Sequence, residues 1–287
     1  MLMKKMIFFT LMLFFTFNLH PMDWPSTSRI IQNFGMNNMG MPILGVSFEG
    51  GGQVNASDSG ELLYIRREGD IASRLPSPLG SWAAINHREG IISIYSRFNL
   101  SNDFTIPNTI NRGMTLGTAG QSGWSNQNGV YFQLFDRRER RWINPSMIIS
   151  SPDTRAPVIH SVYLRSSDGE LINPSQVSVI SQGLYIIIIQ TDDTRTSAND
   201  VPLAPYLITT IVGGGEAGIL GFQTYFARDG SLLVNRNGLF PVRQVFARAP
   251  AYEAAEIRFN RGQTDLEIIV QDIAGNSRNV VYRLTIE

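Results

Sequence analysis

The sequence predicts an all-β protein of two units, on three observations. From Ile43 onward it consists of short β-rich runs broken by Gly, Pro, Asn and Ser; no stretch sustains helical spacing; and a polar stretch with two prolines, SSPDTRAP at 150–157, separates the runs into two sets. The first set gives strands near Gly52–Ala56, Glu61–Arg66, Ser81–His87, Gly90–Phe98, Met114–Thr118 and Val130–Phe135. The second gives Val158–Arg165, Leu184–Gln190, Tyr206–Val212, Leu220–Ala227, Val242–Phe246, Ala254–Phe259, Leu266–Gln271 and Val280–Ile286, the number and spacing of a β-sandwich. Within it YIIIIQ is almost wholly apolar and should form a central strand covered on both faces. The units run over 23–150 and 158–287, with 151–157 as a linker and no tandem repeat.

Residues 1–22 are set apart from the fold. MLMKK carries two lysines and precedes MIFFTLMLFFTF, an apolar run too short to span a bilayer and suited to a secretory signal, with the mature chain starting between His20 and Asp23. The expected location is therefore exported, periplasmic or associated with the cell envelope. With no cysteine near that boundary a lipoprotein is disfavoured, and an uncleaved signal would be the chain's sole membrane attachment.

Composition removes several chemistries. Lys4 and Lys5 are the only lysines among 24 basic residues, so the rest of the chain has 22 arginines against 24 carboxylates and no basic excess to hold a nucleic-acid backbone. Schiff-base chemistry and Gly-Lys phosphate loops go with the lysines. The absence of cysteine excludes thiol nucleophiles, thiolate metal sites and disulfides, leaving packing alone to stabilise each unit.

Five fragments between 41 and 147 occur in one order: GGQVNASDSGELLYI at 51–65, AAINHREGIISIYSRF at 83–98, INRGMTLGTAGQSG at 110–123, GVYFQLF at 129–135 and INPSMII at 143–149. Together they resemble the motifs of the lysostaphin and LytM-type zinc endopeptidases, a small antiparallel β-fold that cuts peptidoglycan cross-links. The resemblance implies where a site should lie. The family's His-x-x-x-Asp zinc pair falls on Met41 and Gly45, the zinc-binding His of its H-x-H on Tyr131, and its two catalytic histidines on Gly129 and Arg97. A thioether, a bare backbone and a phenol are not competent zinc ligands near neutrality, and arginine cannot act as a general base. His20, His87 and His160 are the only histidines in the chain, so no shift of register restores the set.

Alternation along GVYFQLF places Gly129, Tyr131 and Gln133 on one strand face and Val130, Phe132 and Leu134 on the other. The expectation is a remnant cleft bordered by Met41, Gly45, Arg97, Trp124, Gly129, Tyr131 and Gln133, able to bind peptide or sugar without a metal or other cofactor. His87 is read chiefly as a structural or surface histidine, with a residual polar contact in the cleft as the alternative. The closing segment IVQDIAGNSRNVVYRLTI resembles the last strand pair of bacterial immunoglobulin-like or fibronectin-like modules, with Gly275 and Asn276 suited to positive φ in the turn. DRRERR at 136–141 reads as a hairpin tip and GGGEAG at 213–218 as a turn; Asp192, Asp193 and Asp200 lack the spacing of a calcium loop.

The function expected from the sequence is an exported pseudopeptidase that binds peptidoglycan or an envelope protein such as a cell-wall hydrolase. The pattern YFQL, RR, INP also resembles family members that activate amidases by contact, although no coiled coil of the kind several of them carry is evident. Two alternatives stand beside it: an active zinc hydrolase with an unusual ligand set, and a purely structural envelope module.

Overall fold

A computed structural model describes residues 21–69, 75–100, 107–150, 152–194, 202–246 and 251–287; the signal reading at 1–22 lies almost wholly outside them. The protein is all-β and overwhelmingly antiparallel, and no helix of the described residues is long and apolar enough to cross a membrane. The strands that position the site are β1 (Val46–Glu49), β2 (Gly60–Arg66), β3 (Trp82–Asn86), β4 (Ile91–Ser96), β5 (Gly129–Asp136) and β6 (Arg141–Ile143). Those of the second unit are β7 (Val158–Ser166), β8 (Gly183–Asp192), β9 (Leu207–Val212), β10 (Gly215–Arg228), β11 (Ala251–Phe259), β12 (Gly262–Gln271) and β13 (Ser277–Ile286).

In the first unit β2, β3, β4 and β5 lie side by side, and the far edge of β5 is shared, β1 pairing with its first half and β6 with its end. Register fixes the faces. Ile65, Ala83, Tyr95, Phe132 and Val46 are cross-strand partners in one row, and Ile85, Ser93, Leu134 and Ile143 in another. Tyr95, Phe132, Val46, Ile85 and Leu134 are completely buried in one core with Phe48, Phe98 and Leu116. A fully buried side chain of this size contributes about 1.5–3 kcal/mol, which is why a one-residue slip of β5 is prohibited.

The second unit packs two sheets face to face. Val162, Leu164, Ile187, Ile189 and Ile257 from the β7–β8–β11 sheet meet Ile208, Leu220, Ile268, Val270 and Leu284 from β9, β10, β12 and β13. YIIIIQ forms the middle of β8, flanked by β7 and β11. GGGEAG makes a tight hairpin turn between β9 and β10, where Val212 pairs with Gly215.

Three features depart from expectation. Val242–Val245 is one helical turn and not a strand: the ring of Pro241 sits at its N-cap, and Val242, Val245 and Phe246 are spaced so that a single turn buries all three. In the final hairpin Gly275 has φ 94° but Asn276 stays out of the left-handed region; its side chain instead donates to Asp272 Oδ2 at 2.7 Å. Finally, the sheet does not stop at 150. β6 pairs with β10 through Arg141–Phe226, Trp142–Tyr225 and Ile143–Thr224, giving one 15-stranded sheet across both units. Phe34, from the first unit's sequence, is buried in the second core beside Tyr225 at a ring separation of 5.1 Å.

Candidate functional site

The face of the first sheet opposite its core is where the chain can meet a ligand. Across that face Arg66, Trp82, Ser96, Tyr131 and Ser47 form one register row, with Ala84, Ile94 and Gln133 in the next. The predicted alternation of β5 is therefore observed: Val130, Phe132 and Leu134 enter the core, while Tyr131 and Gln133 face a groove of about 350 Å³. The groove is bounded on one side by Pro42, Ile43 and Leu44 and on the other by the loop from Trp124 to Asn128.

Arg97 ends β4 in the left-handed region, at φ 67°, where its backbone N–H is held by the carbonyls of Leu79 and Ser81, both at 3.0 Å. That kink carries its guanidinium over the Tyr131 ring, 4.8 Å from the centroid. Burial pushes the Tyr131 phenol up to about 12, against the opposing pull of the Arg97 charge, so it stays protonated at neutral pH. Gln133 is 8 % exposed and donates from Nε2 to the Leu44 carbonyl at 3.3 Å, tying the groove floor to its wall. Trp124 stands at the rim, 75 % exposed.

The remaining sequence-predicted residues sort differently. Gly129 lines the groove through its backbone. Gly45 adjoins it, since a Cβ there would meet the Phe132 carbonyl oxygen, Gln133 Cγ at 2.7 Å and Tyr131 Cε2 at 3.0 Å. A Cβ on Gly129 would run into the Phe48 carbonyl oxygen. Both positions are glycine because backbone or neighbouring side chains already fill the space, so neither can be returned to a ligand by substitution alone. Met41 is absent from the lining; it pairs with Asn38 in a two-residue strand and is 37 % exposed, while its neighbours from Pro42 to Leu44 form the wall.

The cleft contact considered for His87 is corrected by the structure. His87 is buried on the core side, with Nδ1 2.9 Å from the Ser59 carbonyl and Nε2 2.6 Å from Ser93 Oγ. The Ser93 and Tyr95 hydroxyls are 3.0 Å apart, and Tyr95 Oη accepts from the Ser57 N–H at 2.8 Å. Nδ1 can only donate to a carbonyl, which leaves Nε2 to accept from Ser93 in the neutral ring. Burial pulls the His87 pKa below its ordinary value, with Ser59 and Asp58 acting the other way.

A zinc ion of the kind the resemblance implies does not fit this groove. A tetrahedral site needs about three side-chain nitrogen, sulfur or carboxylate ligands, and no His, Cys, Asp or Glu is among the described residues that line it. Carboxylates do gather elsewhere: an oxygen of Asp153, from the linker, and those of Asp193 and Asp272, from the second unit, lie within 4.8 Å of one another. Sequence proximity had grouped Asp193 with Asp192 and Asp200. Instead Asp192 accepts from or pairs with His160 Nε2 at 2.8 Å, and Asp200 lies outside the described residues. DRRERR is a hairpin tip, with Asp136 Oδ1 accepting from the Arg138 and Glu139 N–H groups and Arg138 pairing with Glu89. What the sequence did not offer was the amide-rich rim of Gln32, Asn38, Gln127 and Asn128, whose members come from segments with no pattern of their own.

A protein-family model matches residues 156–287, and no curated protein matches the chain. Among solved structures it is similar to the catalytic domain of the prophage-encoded M23 protein EnpA from Enterococcus faecalis, at 17 % identity and a TM-score of 0.35 over 42 % of this chain and 91 % of that one. The catalytic domain of the antimicrobial peptidase lysostaphin from Staphylococcus simulans matches at 19 % identity and 0.32, over 39 % and 83 %. A zinc-containing peptidase from Vibrio cholerae matches at 17 % and 0.34 over 45 % of this chain, which spans 38 % of that protein's length.

Proposed function

We propose that this chain is an exported, non-catalytic relative of the LytM-type peptidases that binds peptidoglycan or an envelope protein through the groove beside Tyr131. On this reading the second unit is an immunoglobulin-like module that supports and presents the groove. One observation carries the proposal. The groove keeps a floor and two walls with an arginine, a phenol, a carboxamide and an exposed tryptophan, yet among the described residues it offers no His, Cys, Asp or Glu to hold a divalent ion. Tyr131, with its pKa raised to about 12, supplies a hydrogen-bonding phenol and not a phenolate ligand. An amide hydrolysis without metal would need a nucleophile and a base within reach of each other, and among the described residues the titratable groups lining the groove are Arg97 and Tyr131.

The experiment has two arms on the purified chain. Metal analysis is expected to find less than stoichiometric zinc and a cell-wall digestion assay no turnover, while the same protein co-sediments with purified peptidoglycan or captures an envelope hydrolase. An Arg97→Ala, Tyr131→Ala double variant that remains folded should lose that retention. Stoichiometric zinc accompanied by turnover would overturn the proposal, and so would retention that the double variant leaves unchanged.

A further inference from the structure

We propose that the groove is a carboxylate receptor anchored by Arg97, so that its ligand is a peptide chain end bearing a free carboxylate. This deepens the reading of the groove as a binding surface and rests on it. The starting point is an imbalance of charge. Arg97, like several other arginines, forms no ion pair among the described residues, but unlike those on the open surface it is half-buried beside the groove. Among the described residues it is the one charged side chain lining the groove. Its Nε is buried with no hydrogen-bond partner among the described residues, a donor that the protein itself leaves unsatisfied.

Geometry says what would complete it. The kink at Ser96–Arg97 places a non-glycine residue at φ 67°, held there by two carbonyls that clasp the Arg97 N–H, and it aims the side chain at the groove. The guanidinium carbon lies 4.8 Å from the centre of the Tyr131 ring, which holds the charge at the groove, and a guanidinium there suits the paired hydrogen bonds that a planar two-oxygen acceptor takes best. Neutral amides of Gln32, Asn38, Gln127 and Asn128 line the same groove and can satisfy a peptide backbone, and Pro42 and Leu44 offer an apolar wall for its side chain. A volume of about 350 Å³ suits a chain end of a few residues better than a long polymer stretch. Burial pulls the Arg97 pKa down with only Tyr131 opposing it, so an incoming anion would relieve a charge the groove holds at some cost.

The test is calorimetric titration of the full chain with acetyl-dialanine, as the free acid and as the C-terminal amide, in L,L and D,D forms, and with inorganic phosphate as a competitor. At least one free acid should bind ten-fold or more tightly than its amide, Arg97→Gln should abolish the difference, and Arg97→Lys should retain only part of it. Phosphate should compete weakly. Thermal unfolding of each variant reports whether it is folded; should Arg97→Gln fail to fold, the acid-to-amide ratio of the wild-type chain decides alone. Equal binding of acid and amide, no binding of either, or displacement by phosphate as effective as by the acid overturns the carboxylate assignment. Co-sedimentation with purified peptidoglycan separates the two levels: retention without acid preference sinks the receptor and leaves the binding surface standing, and loss of both sinks both.

Discussion

Single residues in this protein are most informative where a polar group is buried. His87 is held neutral inside the first core by Ser59 and Ser93, and its folded pKa lies below that of the unfolded chain. In the window between that lowered value and about 6.5 the unfolded chain carries the extra proton, so stability must fall as pH falls, at no more than about 1.4 kcal/mol per pH unit for one proton. Above about 6.5 the term is flat. Urea midpoints measured from pH 7.5 down to 5.5 should therefore decline in the wild type and decline less in His87→Gln; equal slopes would remove His87 as the cause. Tyr225 presents the opposite case. Its hydroxyl is completely buried without a hydrogen-bond partner among the described residues, and burial holds its pKa far above the ordinary phenol value. Tyr225→Phe should be neutral or raise stability, by about 1 kcal/mol, in thermal or urea unfolding, where most core substitutions lower it.

At the scale of the element, β5 joins stability to function. Its alternate residues belong to different regimes, Phe132 and Leu134 being completely buried while Tyr131 and Gln133 address the groove. Phe132→Ala should cost about 3–5 kcal/mol, read from the urea midpoint, because Phe132 packs against Tyr95 at 5.3 Å and Trp24 at 6.4 Å between ring centroids. Tyr131 and Gln133 were legible from the sequence because period two is enforced by the pleat and the hydrophobic set was unambiguous. The segment Val242–Phe246 was misread for a related reason: five residues are too few for period to separate a strand from one helical turn, and the spacing of its apolar residues decides only when Pro241 is weighed as well. Met41 lies one residue before the groove wall, which starts at Pro42.

At the scale of the whole molecule, the segment 33–44 links the two cores. Phe34 is buried among Phe222, Tyr225 and Phe246, the Asn37 side chain donates to the Phe246 carbonyl at 3.4 Å, and the same segment continues into the groove wall at Pro42–Leu44. With β6 and β10 paired edge to edge, the cores should not melt independently. A single cooperative unfolding transition is expected by calorimetry, and two resolved transitions would contradict it. Phe34→Ala should lower stability by about 3–5 kcal/mol and weaken peptidoglycan retention in folded protein at low temperature, although residue 34 touches no ligand. Loss of stability with unchanged retention would show that the wall holds its position without this anchor.

The sequence by itself determined where most of the strands lie, the two-sided character of β5 and the small supply of His, Cys and Lys, because alternation, turn residues and residue counts are properties of the chain read in one dimension. Only the tertiary structure decided that Arg97 kinks over Tyr131 without a carboxylate beside it, that His87 faces the core, that Asp153, Asp193 and Asp272 converge, and that one sheet runs through both units. Each of these depends on which distant segments share a neighbourhood. That is fixed by burial of the summed apolar surface, and no local pattern encodes it.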